Sequence, residues 1–197
     1  MRLCPLYSLV FTLAAAGTCG GELRFVDLSR HINHSLTDNL GRGFEGNSLS
    51  ELPKGKQKLG DATFQIEGVV QLGSKVLINE PEKIEGIKVG VKGEKVHFLH
   101  ATGYGGGVCD NPTHQWYVPK GTHIGEYIVT YDDGATEGIP IVYGEDVRDW
   151  FFHEGEAGVE RGKIAWVGDN PFSNRNSCRI RLYSLEWKNP YPMKSIK

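Results

Sequence analysis

The feature that most constrains the fold is a series of short apolar runs separated by turn residues. The runs lie at residues 23–28, 64–66, 76–78, 84–91, 96–100, 126–131, 138–143, 163–167 and 178–187. Apart from one short helical turn at residues 147–152, no stretch shows a helical period beyond about two turns. Together with 26 glycines available for turns, this pattern predicts an all-β domain built as a sandwich.

Two parts of this series give sharper predictions. Asp132-Asp133-Gly134 separates two runs and predicts a hairpin. In the last run, residues 180 and 182 share one face and residues 179, 181 and 183 share the other. We therefore expect one face of this strand to be core and the other to meet solvent or a ligand.

The polar segment from Ser29 to Gly60 is predicted to be loop. Its apolar residues Leu49, Leu52 and Pro53 are expected to tuck under the sandwich.

Size and charge bound the organisation of the chain. Its 197 residues fit one domain, which we place at residues 21–197. The net charge of -2, with both signs interspersed, gives no electrostatic footprint for nucleic acid or for an anionic membrane.

The first 20 residues have the layout of a secretory signal peptide. Arg2 precedes an apolar run at residues 6–16 that ends in small residues. The run is shorter than the roughly 20 residues of a spanning helix, which argues against a membrane anchor and for no membrane span in the mature chain. We expect a secreted or periplasmic protein.

The body of the chain retains two cysteines, since Cys4 and Cys19 lie within or at the end of the leader. In an oxidising compartment, Cys109 and Cys178 either form one disulfide that closes a long loop or stay as two thiols. The spacing of cysteines and histidines does not match a zinc site.

No motif brings together a catalytic set. His97 and His100 fall on opposite faces of a strand and cannot chelate one ion, whereas loop folding could bring His31 and His34 together. The nucleophile elbow Gly-x-Ser-x-Gly is absent. Two carboxylate pairs remain as candidates for glycosidic cleavage, with a solvated acidic loop as the alternative reading: Asp146 with Asp149, and Glu154 with Glu156.

Aromatic residues in predicted loops are the strongest candidates for ligand contacts. Sugar rings stack on such side chains, while neighbouring amide and guanidinium groups bond hydroxyls. The alternative for each tryptophan is a place in the core. The candidate ligand-binding residues are Trp116, Tyr117, Trp150, His153, Trp166, Asn170 and Arg175.

Several strings of residues resemble a known family. They include Asn47-Ser48-Leu49-Ser50-Glu51-Leu52-Pro53, Val96-His97-Phe98-Leu99-His100, Gly125-Glu126-Tyr127-Ile128-Val129-Thr130-Tyr131 and Ala165-Trp166-Val167-Gly168-Asp169-Asn170. Over about residues 25–192 the chain resembles an uncharacterised bacterial β-sandwich module of galactose-binding-like, jelly-roll type. That family is appended to secreted carbohydrate-active enzymes and to extracytoplasmic parts of sigma-factor regulators.

The resemblance implies a secreted, non-catalytic binding module with a polysaccharide or glycan as ligand. It implies no catalytic cofactor, although similar jelly rolls hold a structural calcium ion. Fold alone does not fix a ligand, so two alternatives stay open. One is a protein-interaction module of the cell envelope, working beside a regulator or an enzyme. The other is an unrecognised glycoside hydrolase.

Overall fold

The computed structural model describes residues 14–17, 23–74, 77–103 and 118–197. Every pair of strands in it is antiparallel, and its helix has only five residues, so the all-β class is confirmed. The elements are β1 Ala14–Gly17, β2 Leu23–Phe25, β3 Gly55–Leu59, β4 Ala62–Ile66, β5 Lys95–His100, β6 His123–Thr130, β7 Thr136–Val142, β8 Phe151–Phe152, β9 Lys163–Gly168, α1 Pro171–Arg175 and β10 Arg179–Lys188.

A six-stranded sheet forms the centre, in the order β2-β1-β5-β10-β8, with β9 also paired to β10. Strand β8 pairs with the start of β10, and β5 pairs with its end. The hairpins β3–β4 and β6–β7 form two further sheets of two strands each. The β6–β7 hairpin is the one predicted from Asp132-Asp133-Gly134, and that prediction is confirmed.

One face of β5 and β10 carries an apolar core. Leu99, Ile180 and Leu182 are fully buried there. The predicted tucking of the long polar segment is confirmed for Leu49 and Leu52, which are buried in the same cluster. The hairpin β3–β4 adds further apolar side chains, so the cluster is closed by parts of the chain far apart in sequence.

The opposite face is also buried at residues 181 and 183, which corrects the expectation that it meets solvent or ligand there, whereas Arg179 on the same face is exposed. Arg181 is only 2% exposed and Tyr183 is fully buried. Tyr183 is paired across the sheet with His100, and hairpin residues pack over Tyr183. Alternation along β10 separated the two faces correctly, but it could not show that another hairpin covers the second one.

Four other local predictions are wrong. Of the strand predicted at residues 76–78, Leu77 lies in no strand and Ile78 lies in a turn. Residues 55–59, predicted as loop, form β3 because their backbone pairs with β4. Residues 84–91, predicted as a strand, contain only an isolated bridge at Val91. Residues 147–152 do not form a helical turn but include β8, and the helix begins at Pro171 instead. At residues 55–59 and 147–152 tertiary pairing outweighs the local pattern, whereas residues 84–90 have no strand to pair with among the described residues.

Strand β1 lies inside the predicted leader. It occupies the position between β2 and β5, with Ala15 opposite both Phe25 and His97. Cleavage after residue 20 would therefore remove a strand from the central sheet. The signal peptide and export stay predictions.

Candidate functional site

A short helix and a neighbouring loop build one surface of the molecule. Asn170 caps α1: its side chain accepts a hydrogen bond from the Ser173 amide at 2.7 Å. Ser173 Oγ accepts one from the Asn170 amide at 2.9 Å, which completes a capping box. Pro171 at the first helical position has the backbone angle that a helix needs, so five residues suffice to hold this turn.

The loop at residues 44–48 is fastened to this helix. Asn170 is buried, and its Nδ2 donates to the Ser48 carbonyl at 2.9 Å. The Phe172 amide donates to the Gly46 carbonyl at 3.3 Å. Gly46 has φ +75°, and a Cβ there would lie 2.7 Å from Pro171 Cβ, so only glycine allows this approach. Loop and helix therefore form a supported unit.

Four aromatic side chains, which we call the aromatic ladder, run from the core to this surface. Trp150 lies against Phe151 at 5.0 Å between ring centroids, and Phe151 lies against Phe172 at 5.3 Å. Phe172 stacks on Phe44 at 5.1 Å with an interplanar angle of 18°. Trp150 is 2% exposed and Phe44 is 41% exposed, so the ladder ends in an aromatic face open to solvent.

A cation borders the exposed end of the ladder. Arg175 Cζ lies 6.0 Å from the Phe172 ring centroid, and its guanidinium donates to the Glu45 carbonyl. Arg175 is exposed and has further N–H groups to offer. A flat apolar face beside fixed N–H donors suits a ligand with one apolar face and hydroxyl groups at its edge.

The structure brings together some of the residues predicted to bind ligand. Three of them lie in or beside the aromatic ladder: Trp150, Asn170 and Arg175. Trp150 is buried, and the side chain of Asn170 is already engaged in the helix cap and in the contact with the loop at residues 44–48. Trp166 is half-buried and packs on the apolar core, and His153 is half-buried next to β8. Trp116 and Tyr117 lie outside the described residues.

Sequence reasoning missed Phe44 and Phe172, the two rings that form the exposed end. The available signal was a lone phenylalanine at position 44 among the turn glycines Gly43 and Gly46. Nothing local to it pointed to residue 172, because these rings meet only after α1 docks on the loop.

A second cluster of polar groups lies buried on the hairpin side of the central sheet. His100 is fully buried, and its Nδ1 lies 3.2 Å from the Tyr127 hydroxyl. Burial lowers the pKa of His100 to about 4, and burial raises the pKa of Tyr183 to about 12. Both side chains are therefore uncharged at neutral pH. His100 Nε2 and the Tyr183 hydroxyl have no hydrogen-bond partner among the described residues.

Three of the four predicted acid and base candidates are engaged in structural contacts, and the fourth, Glu154, is exposed. Asp146 is buried and accepts two hydrogen bonds from Arg161, at 2.9 and 2.6 Å. Glu156 pairs with Arg181 at 2.8 Å, and both side chains are buried. Asp149 accepts from the Phe151 amide at 2.9 Å. These carboxylates hold loops and a buried arginine in place.

The histidine predicted to meet a neighbour in the polar loop has other partners. His34 Nε2 lies 2.8 Å from Glu80 Oε1, and its Nδ1 lies 3.9 Å from Asp38. Glu80 also accepts hydrogen bonds from Asn33 and from the buried Gln71. Among the described residues, no group of three or more His, Cys, Asp or Glu side chains is placed to hold a metal ion. A structural calcium ion stays a prediction.

Of the two cysteines predicted to form a disulfide or to stay as thiols, the structure describes Cys178. Cys178 follows α1, is half-buried, and its thiol donates to the Ser173 carbonyl at 3.6 Å. Burial raises the pKa of this thiol. Its predicted disulfide partner, Cys109, lies outside the described residues.

Comparison with known proteins adds no relative. No protein-family model matches the chain, and neither a curated protein nor a solved structure matches it significantly. In the part of the chain that the structure describes, no helix has the length and apolar character to cross a membrane.

Proposed function

We propose that this chain is a secreted or periplasmic, non-catalytic module of galactose-binding-like, jelly-roll type that binds carbohydrate at the exposed end of the aromatic ladder. The observation that carries the proposal is the stacked pair Phe44 and Phe172 with Arg175 beside it. A sugar ring presents an apolar face of C–H groups to an aromatic ring and a rim of hydroxyls to polar neighbours.

The construction of the surface also supports binding rather than catalysis. The capping box and the close approach of Gly46 hold both rings before any ligand arrives, which lowers the entropic cost of binding. The neighbouring carboxylates Asp146 and Glu156 are each paired with an arginine. A glycosidase would need one carboxyl group as acid and another as base or nucleophile at the sugar.

The test is a glycan array with the full chain, repeated with Phe44→Ala and Arg175→Gln. Met193→Ala is the matched control, because Met193 is also an exposed apolar residue and lies away from the ladder in sequence. We expect a roughly two- to tenfold loss of affinity for the bound glycan class in Phe44→Ala, since a contact with an aromatic ring is worth about 0.5–1.5 kcal/mol beyond the area it buries. Thermal melting checks that each variant is folded.

Two results would overturn the proposal. An array with no saturable binding excludes carbohydrate as the ligand class and favours the protein-interaction alternative. Binding that survives Phe44→Ala and Arg175→Gln but disappears in Trp116→Ala moves the site away from the ladder to residues near Trp116.

A further inference from the structure

A large apolar cavity lies beneath the β6–β7 hairpin, on the side of the sheet that carries His100. We call it the hairpin cavity. Its volume is about 920 Å³, at the upper end of the range for small-molecule sites. Its walls are mainly aliphatic and come from β5, the hairpin, the segment after β2 and the C-terminal residues. They include Val26, Leu28, Val96, Phe98, Ile124, Tyr127, Val129, Ile141 and Ile196.

The aromatic part of the cavity wall is formed by Phe98 and Tyr127, and the Tyr127 hydroxyl group is bonded elsewhere. Phe98 and Tyr127 stack at 4.0 Å between ring centroids with an interplanar angle of 13°. The Tyr127 hydroxyl is within hydrogen-bond distance of His100 Nδ1, and His100 is not among the residues that line the cavity. The polar end of Tyr127 is thus occupied elsewhere, which leaves an apolar wall.

A segment at residues 82–89, which we call the strap, covers one side of the cavity. Its half-buried residues Ile84, Ile87 and Val89 line the cavity, while its charged residues are exposed. Among the described residues, the strap makes no backbone hydrogen bond. Backbone bonds anchor it only at its flanks, from Gly73 to the Pro81 carbonyl and from Gly90 to the Ile196 carbonyl.

Such a segment opens at low cost. Lifting it breaks side-chain contacts of three residues and no hydrogen-bond ladder, so its local stability is low. Gly86, in the middle of the strap, has φ +76°, a left-handed backbone conformation that glycine adopts without strain. The strap therefore borders an entry to the cavity, which is partly open to solvent.

The charges around the cavity define the ligand further. They are of both signs and nearly balanced, with four acidic and three basic residues: Glu82, Glu85, Glu126, Asp132, Lys83, Lys88 and Lys197. This rim offers no excess of positive charge to an anionic head group. An aliphatic wall of this volume excludes charge from the interior, because an unpaired ion there loses its hydration.

From these observations we infer that the hairpin cavity is a second binding site, which takes an uncharged small molecule with an aliphatic body and which admits it past the strap. This site is separate from the aromatic ladder and does not depend on the proposed carbohydrate function.

The probe for this inference is N-phenyl-1-naphthylamine, an uncharged dye whose fluorescence rises in apolar surroundings. We expect saturable binding of the dye to the full chain and displacement by decan-1-ol. Decanoate and decylammonium have a chain of the same length with a charged head group. We expect each to displace the dye at least tenfold less well than the alcohol.

Two variants locate the binding. Ile87→Glu places a carboxylate over the cavity, and we expect it to weaken dye binding by more than about tenfold. Ile164→Glu makes the same substitution at an isoleucine that is 45% exposed and does not line the cavity, and it is the matched control, with affinity within about twofold of the unchanged chain. Because neither residue is fully buried, thermal melting is expected to show both variants folded.

The inference is overturned if the dye does not bind saturably, or if Ile87→Glu and Ile164→Glu bind it equally well. Equal displacement by the alcohol and both ions overturns the assignment of an uncharged ligand. A doubling of mass in light scattering that Ile87→Glu abolishes would show a second copy of the chain on this face and would also overturn it. Glycan binding, measured in parallel, reports separately on the ladder.

Discussion

The two faces of the β5–β10 strand pair are buried to a similar degree but in chemically different ways. One face carries Leu99, Ile180 and Leu182 in an apolar cluster. The other carries Arg181 and Tyr183 beside His100, all at most 2% exposed. The first face needs only close packing of apolar atoms. The second also buries polar atoms: those of Arg181 have partners, whereas His100 Nε2 and the Tyr183 hydroxyl have none among the described residues.

This difference shows how the hairpin side is assembled. Arg181 is held by Glu156 at 2.8 Å and by the Asp149 carbonyl at 3.0 Å, and it lies 4.7 Å from the Phe152 ring centroid. These partners come from the segment at residues 149–156. The same segment also contributes Trp150 and Phe151 to the apolar face. A single short segment thus completes both faces.

The largest effect is expected from breaking the buried ion pair. Glu156→Ala leaves the Arg181 charge buried without its partner and should lower the free energy of unfolding by about 3–5 kcal/mol. Urea unfolding followed by tryptophan fluorescence measures this loss. Glu154→Ala, at an exposed position two residues earlier, is the control and should be near neutral. Equal effects of the two substitutions would contradict the assigned role of the pair.

A cavity in the apolar face should cost slightly less. Leu182→Ala removes a fully buried side chain and should lower the free energy of unfolding by about 2–5 kcal/mol. Ile164 on the neighbouring strand is 45% exposed, so Ile164→Ala should change it by less than about 0.5 kcal/mol. A small effect at residue 182 would mean that this face is not the tightly packed one.

The hairpin side should also respond to pH, because His100 is buried without charge. Its pKa is about 4 in the folded chain against 6.5 for an unperturbed histidine. Above pH 6.5 both states are neutral. Between pH 6.5 and 4 the unfolded chain takes up a proton that the folded chain does not, so stability falls, and below pH 4 this loss levels off.

The whole loss amounts to about 3 kcal/mol, at about 1.4 kcal/mol per pKa unit. Unfolding curves at pH 7.5, 6, 5 and 4.5 for the unchanged chain and for His100→Gln isolate this contribution, since other groups titrate in both. We expect a shallower pH dependence in His100→Gln and no such change in His123→Gln, at an exposed position. Parallel pH dependences for all three would refute the buried neutral state of His100.

The smallest effect is expected from breaking an ion pair that is exposed to solvent. Lys163 and Asp61 form an ion pair at 2.6 Å, with side chains that are 69% and 76% exposed. Asp61→Asn should leave the melting temperature unchanged within experimental error, because water and salt screen such a pair. A clear drop in melting temperature would contradict the expectation that the exposed pair contributes less to stability than the buried Arg181–Glu156 pair.

Prediction from sequence succeeded where the signal is local. The β6–β7 hairpin follows from two apolar runs joined by Asp132-Asp133-Gly134, and β10 follows from a long alternating run. Strand β3 has the sequence Gly-Lys-Gln-Lys-Leu, which has little apolar content to reveal it, and it exists because it pairs with β4. The strap has strand-like residues, but no neighbouring backbone pairs with them.

The aromatic ladder also combines residues that were predictable from the sequence with residues that were not. Arg175 and Asn170 were predicted because polar residues near loop aromatics are typical of sugar sites. The rings that form its exposed end, Phe44 and Phe172, are 128 positions apart in the chain, so no spacing rule connects them. Their contact requires the close approach of Gly46 to Pro171.

The sequence by itself determined the all-β class, the main hairpin and the division of β10 into two faces, because alternation and turn chemistry act between neighbouring residues. Only the tertiary structure decided that both faces are buried, that Arg181 is matched by Glu156, and that a ladder of rings reaches the surface. The physical reason is that burial and partner choice depend on which distant segments meet, and a local pattern does not encode that meeting.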